Sequence, residues 1–311
     1  MGNKNSGKHI YKIDENFFSI WTSQMAYVFG FTCADGNIHE RTLSWDLSNN
    51  SESNFEILKS FNLAMRSNYP INIRRQSYRL RVSNYNLLKD IKNLGIIPNK
   101  SKILSYPFVP DEYLAHFLRG FLDGDGWVVT RVRKTGGKEI CVGFCNGSYD
   151  FMKGLIDSLR RALKLNSFNL RKRIKITKNG NQSFCYQIEF YSDNANRILD
   201  FLYCNLNEHD LFLKRKYEKF IEAKRFFQEE EISKSFGRKA LRLKETFKED
   251  PKEIIKRLFS KEDLLPRKIA SKLGISLSTL YRWMDKYEIR KFSERGSNEW
   301  LKRIIKSRGV N

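Results

Sequence analysis

The chain has 311 residues, 41% of them hydrophobic and 14% aromatic, which supports one sizeable core and one smaller one. Its 57 Lys and Arg against 35 Asp and Glu leave a formal charge of +22, a balance that argues for a polyanion as the working partner, nucleic acid first. Residues Met1 to Ser19 hold no apolar run of signal length and no window approaches the roughly 18 apolar residues of a membrane span; the expectation is an intracellular protein, cytoplasmic or nucleoid-associated, with no membrane partner.

In chain order the first predicted element is an apolar helix through Trp21, Met25, Val28 and Phe29 that runs into Val28-Phe29-Gly30-Phe31-Thr32-Cys33-Ala34-Asp35-Gly36. A strand over Leu43 to Leu47, a helix over Phe55 to Met65, a strand pair around Ile71 to Val82 and a helix over Tyr85 to Gly95 follow. Pro98, Pro107 and Pro110 then interrupt the pattern, and it begins again. A helix through Tyr113, Leu114, Phe117 and Phe121 enters Leu118-Arg119-Gly120-Phe121-Leu122-Asp123-Gly124-Asp125-Gly126, 90 residues after the first such segment. Strands at Trp127 to Val132 and Ile140 to Phe144, a helix over Ser148 to Leu163, strands at Asn169 to Ile176 and Phe184 to Tyr191, and a helix over Asn194 to Leu202 complete the second unit. Two αββαββα units are implied, an α+β fold, with a charged helix over Asp210 to Glu230 closing the second. The five cysteines (Cys33, Cys141, Cys145, Cys185, Cys204) are scattered among apolar segments as reduced, buried thiols, without zinc-ligand spacing.

The paired Asp-Gly ends carry the chemistry. Gly30 and Gly120 leave no side chain on one helix face, so the two helices can approach backbone to backbone. Asp35 and Asp125 then reach adjacent helix C-termini, where orphan carbonyls and two negative dipole ends already stand. Like charges there raise a pKa or recruit a divalent cation, and an oxygen-only ligand set selects magnesium or calcium. Such a cation suits phosphodiester hydrolysis, because it neutralises the phosphate and activates a water.

These residues closely resemble the LAGLIDADG family of homing endonucleases, with nine-residue motifs at 28 to 36 and 118 to 126 and the likeness covering roughly residues 15 to 227. The resemblance implies a monomer of two pseudo-symmetric halves, 1–105 and 106–228, joined at the motif helices, with two four-stranded sheets forming a saddle over double-stranded DNA. It implies a magnesium-dependent endonuclease making a staggered break with 5′-phosphate and 3′-hydroxyl ends, calcium supporting binding without cleavage, and the mobility of its own intron or gene. Asp35 and Asp125 would be the catalytic metal ligands, with the backbone of Gly36 and Gly126 beside them. Cys33 departs from the pattern that Asp123 keeps, at a position structural in the family. The family adds a lysine to each half: Lys100 or Lys102, and Lys214 or Lys216, with Lys100 and Lys216 preferred. Base and phosphate contacts are expected from Arg74, Arg75, Arg79 and Arg81 in the first half, and from Arg131, Arg133, Arg171, Arg173 and Lys175 in the second, at spacings that suit one sheet face.

Residues 229–260 read as a helical or extended linker, charge-mixed and poor in Gly and Pro. From Gln228 on, 22 Lys and Arg face 13 Asp and Glu, so this end is separately basic. In 261–311, two short helices meet at Gly274, with Ile269, Ala270, Leu273, Ile275, Leu280 and Trp283 as the apolar set and Ser276 or Ser278 as cap. The segment resembles a bacterial helix-turn-helix, which implies DNA contacts from Ser276, Ser278, Thr279, Arg282 and Lys286, aided by a basic tail over Lys302 to Arg308. Two other readings share the fold: a transcription regulator that has lost catalysis, which would lack the paired acids kept here, and a maturase acting on its own intron RNA.

Overall fold

The computed structural model describes residues 11–132, 138–165, 169–176, 182–236, 238–262 and 264–289. The chain divides into two compact units, up to Phe226 and from Phe227.

The first unit opens with helix α1 (Ser23–Asp35), started by Thr22, whose side chain accepts from the Met25 N–H. Every residue from Met25 to Cys33 is buried, so this is a core helix and not an amphipathic surface one. It leads into β1 (Gly36–His39), β2 (Thr42–Ser48), α2 (Glu52–Ala64), β3 (Ile71–Ile73), β4 (Ser77–Val82) and α3 (Tyr85–Asn93). The order recurs as α4 (Leu114–Asp125), β5 (Gly126–Val132), β6 (Lys138–Asn146), α5 (Tyr149–Leu163), β7 (Arg171–Ile176), β8 (Gln182–Tyr191) and α6 (Ser192–Tyr203). The sheets are antiparallel and identically ordered, β1-β2-β4-β3 and β5-β6-β8-β7, so the expected αββαββα duplication is present as structure.

Register explains which side chains are buried. Leu43 opposite Val82 and Trp45 opposite Leu80 turn to the helices, as do Val142 opposite Phe190 and Phe144 opposite Ile188. The alternate positions, among them Arg79 and Arg81 on β4 and Arg171 and Arg173 on β7, lie on the other, open face. The expected helix over Asp210 to Glu230 is displaced: α7 (Lys214–Phe236) begins four residues later. Residues 210–213 stay non-helical because the Leu213 N–H is given to a buried carboxylate and Asp210 sits 3.8 Å from the guanidinium of Arg119.

The second unit contains α8 (Arg238–Phe247), α9 (Pro251–Lys256), a π-helical turn (Arg257–Lys261), α10 (Pro266–Lys272) and α11 (Leu277–Lys286). Its core corrects the expected linker at 229–260. Ala240, Leu243, Ile254, Ile255, Leu258 and Phe259 are buried in one cluster with Ile269, Leu273, Leu280 and Trp283. The charge-mixed composition hides an apolar stripe at helical spacing, and the last two helices bury that stripe.

Candidate active site at the ends of a crossed helix pair

Helices α1 and α4 cross at their glycines. A β-carbon on Gly30 would fall 1.9 Å from the Phe117 carbonyl oxygen, and one on Gly120 2.0 Å from that of Tyr27. The crossing brings the two C-termini together. A β-carbon on Gly124 would meet the Ala34 β-carbon at 2.3 Å and Asp35 Oδ2 at 3.5 Å, so the Asp35 carboxylate lies against the last turn of α4. Asp35 is exposed and Asp125 half-buried. Protein packed around each carboxylate raises its pKa through desolvation; Asp125 reaches about 7, with the negative charge of Asp35 as the next cause.

Two buried lysines meet this pair from below. Lys100, on a short 3-10 turn (Lys100–Lys102), donates to the Ala34 carbonyl at 3.1 Å. Lys216, in the first turn of α7, donates to the carbonyls of Leu122, Asp123 (2.8 Å) and Gly126 (2.7 Å). The two ammonium groups thereby reach the carbonyls of Ala34 and Asp123 in the last turns of α1 and α4 and place positive charge at negative dipole ends. Desolvation lowers both lysines, Lys216 to about 8, against the pull of the nearby carboxylates. Of the paired candidates, Lys102 and Lys214 are exposed, and Lys102 lies over the Phe184 ring.

Of the backbone groups expected beside the acids, the Gly126 carbonyl is already an acceptor for Lys216, and Gly36 is buried with its N–H given to Thr32. Among the described residues no cluster of three or more His, Cys, Asp or Glu could hold a metal alone, so the donor set is a pair of acids open to ligands from a bound partner.

Three features escaped the sequence. Asp123 is fully buried and accepts from Tyr27, Tyr203 and the Leu213 N–H. Arg119, equally buried, gives its guanidinium to the carbonyls of Leu202 and Leu211. The Cys145 thiol donates to the Asp125 carbonyl at 3.1 Å. A charged residue inside an apolar helix is the one signal that could have pointed to Asp123 and Arg119.

The expected contact residues are only partly gathered. Arg79 and Arg81 share the open face of the first sheet, Arg79 held by Asp46. Arg74 and Arg75 do not join them; they lie in the turn between β3 and β4, where the Arg74 N–H bonds Ser77. In the second sheet Arg131, Arg171 and Arg173 are exposed on the open face, with Arg131 2.5 Å from Glu139. Lys175 is in register with Ser183, and its side chain and Arg133 lie outside the described residues. In the second unit Gly274, at φ +61°, makes the expected turn, and Ser276 caps α11 by accepting from the Thr279 N–H. Ser278, Arg282 and Lys286 are exposed along α11, Thr279 is half-buried, and the tail at 302–308 lies outside the described residues.

A family model described as a LAGLIDADG-like domain matches residues 112–202. No curated protein matches the chain. Among solved structures, the LAGLIDADG meganuclease I-AabMI bound to uncleaved DNA is 12% identical, covering 68% of this chain and 92% of its own, with a TM-score of 0.45. The I-LtrWI LAGLIDADG homing endonuclease bound to target DNA is 11% identical over 66% of this chain and 91% of its own, at 0.43. The I-GzeII LAGLIDADG homing endonuclease in complex with its DNA target is 12% identical over 68% and 90%, at 0.44. Residues 112–202, which match the LAGLIDADG-like domain model, take in the second motif helix ending at Asp125 and the β5-β6-β8-β7 sheet.

Proposed function

We propose that the protein is a site-specific endonuclease for double-stranded DNA, a monomeric LAGLIDADG homing endonuclease that makes a staggered break and promotes the mobility of its own intron or gene. The observation that carries the reading is the pair Asp35 and Asp125 at abutting helix ends, each half supplying one buried lysine, Lys100 and Lys216. A catalytically silent regulator would have no use for two repelling acids, one raised to about 7.

The donor set fits magnesium: two carboxylates with positions left for phosphate and water oxygens, and no cluster of three or more His, Cys, Asp or Glu among the described residues. A bound magnesium ion would supply neutralisation of the scissile phosphate and a more acidic attacking water. Asp35 and Asp125 would hold it. Lys100 and Lys216 keep positive charge under the phosphate and fix the ends of the helices that carry the acids. Calcium, larger and less demanding in geometry, should support binding without cleavage.

Sequence selection falls to the open sheet faces. Arg79, Arg81, Arg131, Arg171 and Arg173 have the chemistry for guanine edges and phosphates. The exposed row Ser278, Arg282 and Lys286 on α11 suits a second contact by the C-terminal unit, in the manner of a helix-turn-helix.

The test is to incubate the purified protein with a random duplex library in magnesium and in calcium and to sequence the ends produced. Magnesium-dependent ends sharing one long motif and a short overhang are expected. A motif bound in both ions and never cut would instead assign the protein to the regulators.

A further inference from the structure

Asp123 stands in the second motif helix where Cys33 stands in the first. Its carboxylate is 1% exposed, and both oxygens accept: Oδ2 from the Tyr27 hydroxyl at 2.6 Å and the Leu213 N–H at 2.7 Å, Oδ1 from the Tyr203 hydroxyl at 2.8 Å. Three donors around one carboxylate are the environment of an anion. They come from three places: Tyr27 from α1 in the other half, Tyr203 from α6, and Leu213 from the residue that leads into α7.

Leu213 is the link to the site. Its carbonyl accepts the backbone N–H of Lys216 at 2.9 Å, so the turn that Asp123 grips by Leu213 is the turn that presents Lys216. The main-chain carbonyl of Asp123 accepts the same lysine's ammonium at 2.8 Å. One residue thus holds Lys216 at both ends of its side chain. The first half is built otherwise. Cys33 is a buried thiol with no carboxylate to grip the chain, and the Lys100 ammonium donates to the single carbonyl of Ala34 among the described residues.

We propose that Asp123 is a positioning residue for Lys216, with no counterpart acting on Lys100 among the described residues, so that the two strands of a bound duplex face unequally organised centres. This rests on the endonuclease reading for its consequence, but not for the positioning itself. Replacing a buried aspartate that served only as a folding cross-link would lower stability and slow both strands alike. A positioning residue acts on one lysine and one strand.

The experiment has two readouts on the full chain. Pulse labelling with an amine-acylating reagent, without DNA or metal, reports Lys216 and Lys100 separately by mass spectrometry. Asp123→Asn should raise the Lys216 labelling rate by about tenfold or more, the effect of losing hydrogen bonds to a charged group, and leave Lys100 unchanged. Tyr203→Phe, a milder change, should move Lys216 in the same direction and keeps the test open where Asp123→Asn does not fold. Single-turnover cleavage of a duplex labelled on each strand should then show one strand slowed about tenfold more than the other, with nicked duplex accumulating. Unchanged Lys216 labelling, or equal slowing of both strands, overturns the proposal. If the wild type protects Lys216 yet cuts neither strand, the endonuclease reading fails and the labelling still decides the positioning.

Discussion

Gly30 rests on the main chain of Phe117, and Gly120 on that of Tyr27, each so closely that an added β-carbon would fall within 2.0 Å of a carbonyl oxygen. Neither contact has a flexible side chain that could move aside, so the helices must separate to admit a methyl group. Gly120→Ala should therefore destabilise the first unit by about 3 kcal/mol or more, beyond the ordinary overpacking cost. Thermal and denaturant unfolding measure it, and a wild-type melting curve would mean that the crossing is looser than described.

Asp35→Asn and Asp125→Asn should each reduce cleavage by at least about a thousandfold, some 4 kcal/mol of transition-state stabilisation, with DNA affinity in calcium changed little. Rapid-quench cleavage assays beside filter binding separate the two effects. Undiminished cutting by either variant would remove that acid from the site.

The raised pKa of Asp125, about 7, has a sign that unfolding can read. The folded protein keeps the proton to higher pH than the unfolded chain, whose carboxyl titrates near 3.9, so stability from this group is present in acid and lost as pH rises towards 7. Asp125→Asn removes that loss. The variant should melt above the wild type at pH 8 and close to it at pH 4. Magnesium, which favours the ionised acid, should release a proton on binding at pH 6.5, visible as a buffer-dependent heat in calorimetry. A melting difference that is constant from pH 4 to 8 would show an ordinary carboxyl.

Arg119 donates to the carbonyls of Leu202 and Leu211 at 2.8 Å each and lies 3.8 Å from the buried Asp210. Arg119→Met should cost about 3–5 kcal/mol, because it takes the donor from two buried carbonyls and the guanidinium charge from beside Asp210, which keeps His116 at 3.3 Å and the Asn207 N–H. Asp210→Asn in the same background should recover part of the loss. Additive effects of the two changes would argue against a shared interaction.

In the second unit, Arg282→Ala and Lys286→Ala should each weaken DNA binding and reduce the slope of log affinity against log salt by about 0.9 where a phosphate contact is lost. Point changes are preferable to a truncation before Lys261, which would cut through the core that Ile254, Ile255 and Leu258 share with Trp283. Slopes that match the wild type would exclude α11 as a phosphate-contacting helix.

The sequence by itself determined the duplicated αββαββα order, the two helix ends at Asp35 and Asp125, and the turn at Gly274. These are local facts: apolar period, glycine punctuation and a repeated nine-residue segment carry them without knowledge of partners. It also narrowed the lysines to neighbouring pairs, but only the tertiary structure showed Lys100 and Lys216 buried beneath helix ends and Lys102 and Lys214 exposed, because burial there depends on where the whole second half is packed. The same limit hid the grip of Asp123 on Leu213, 90 residues away, and the apolar stripe of 240–259 that was expected to be a linker. A turn placed Arg74 and Arg75 off the sheet where spacing alone had suggested one face. Spacing along the chain fixes local faces and periods, whereas the partner of a buried charge is fixed by contacts between segments far apart in sequence.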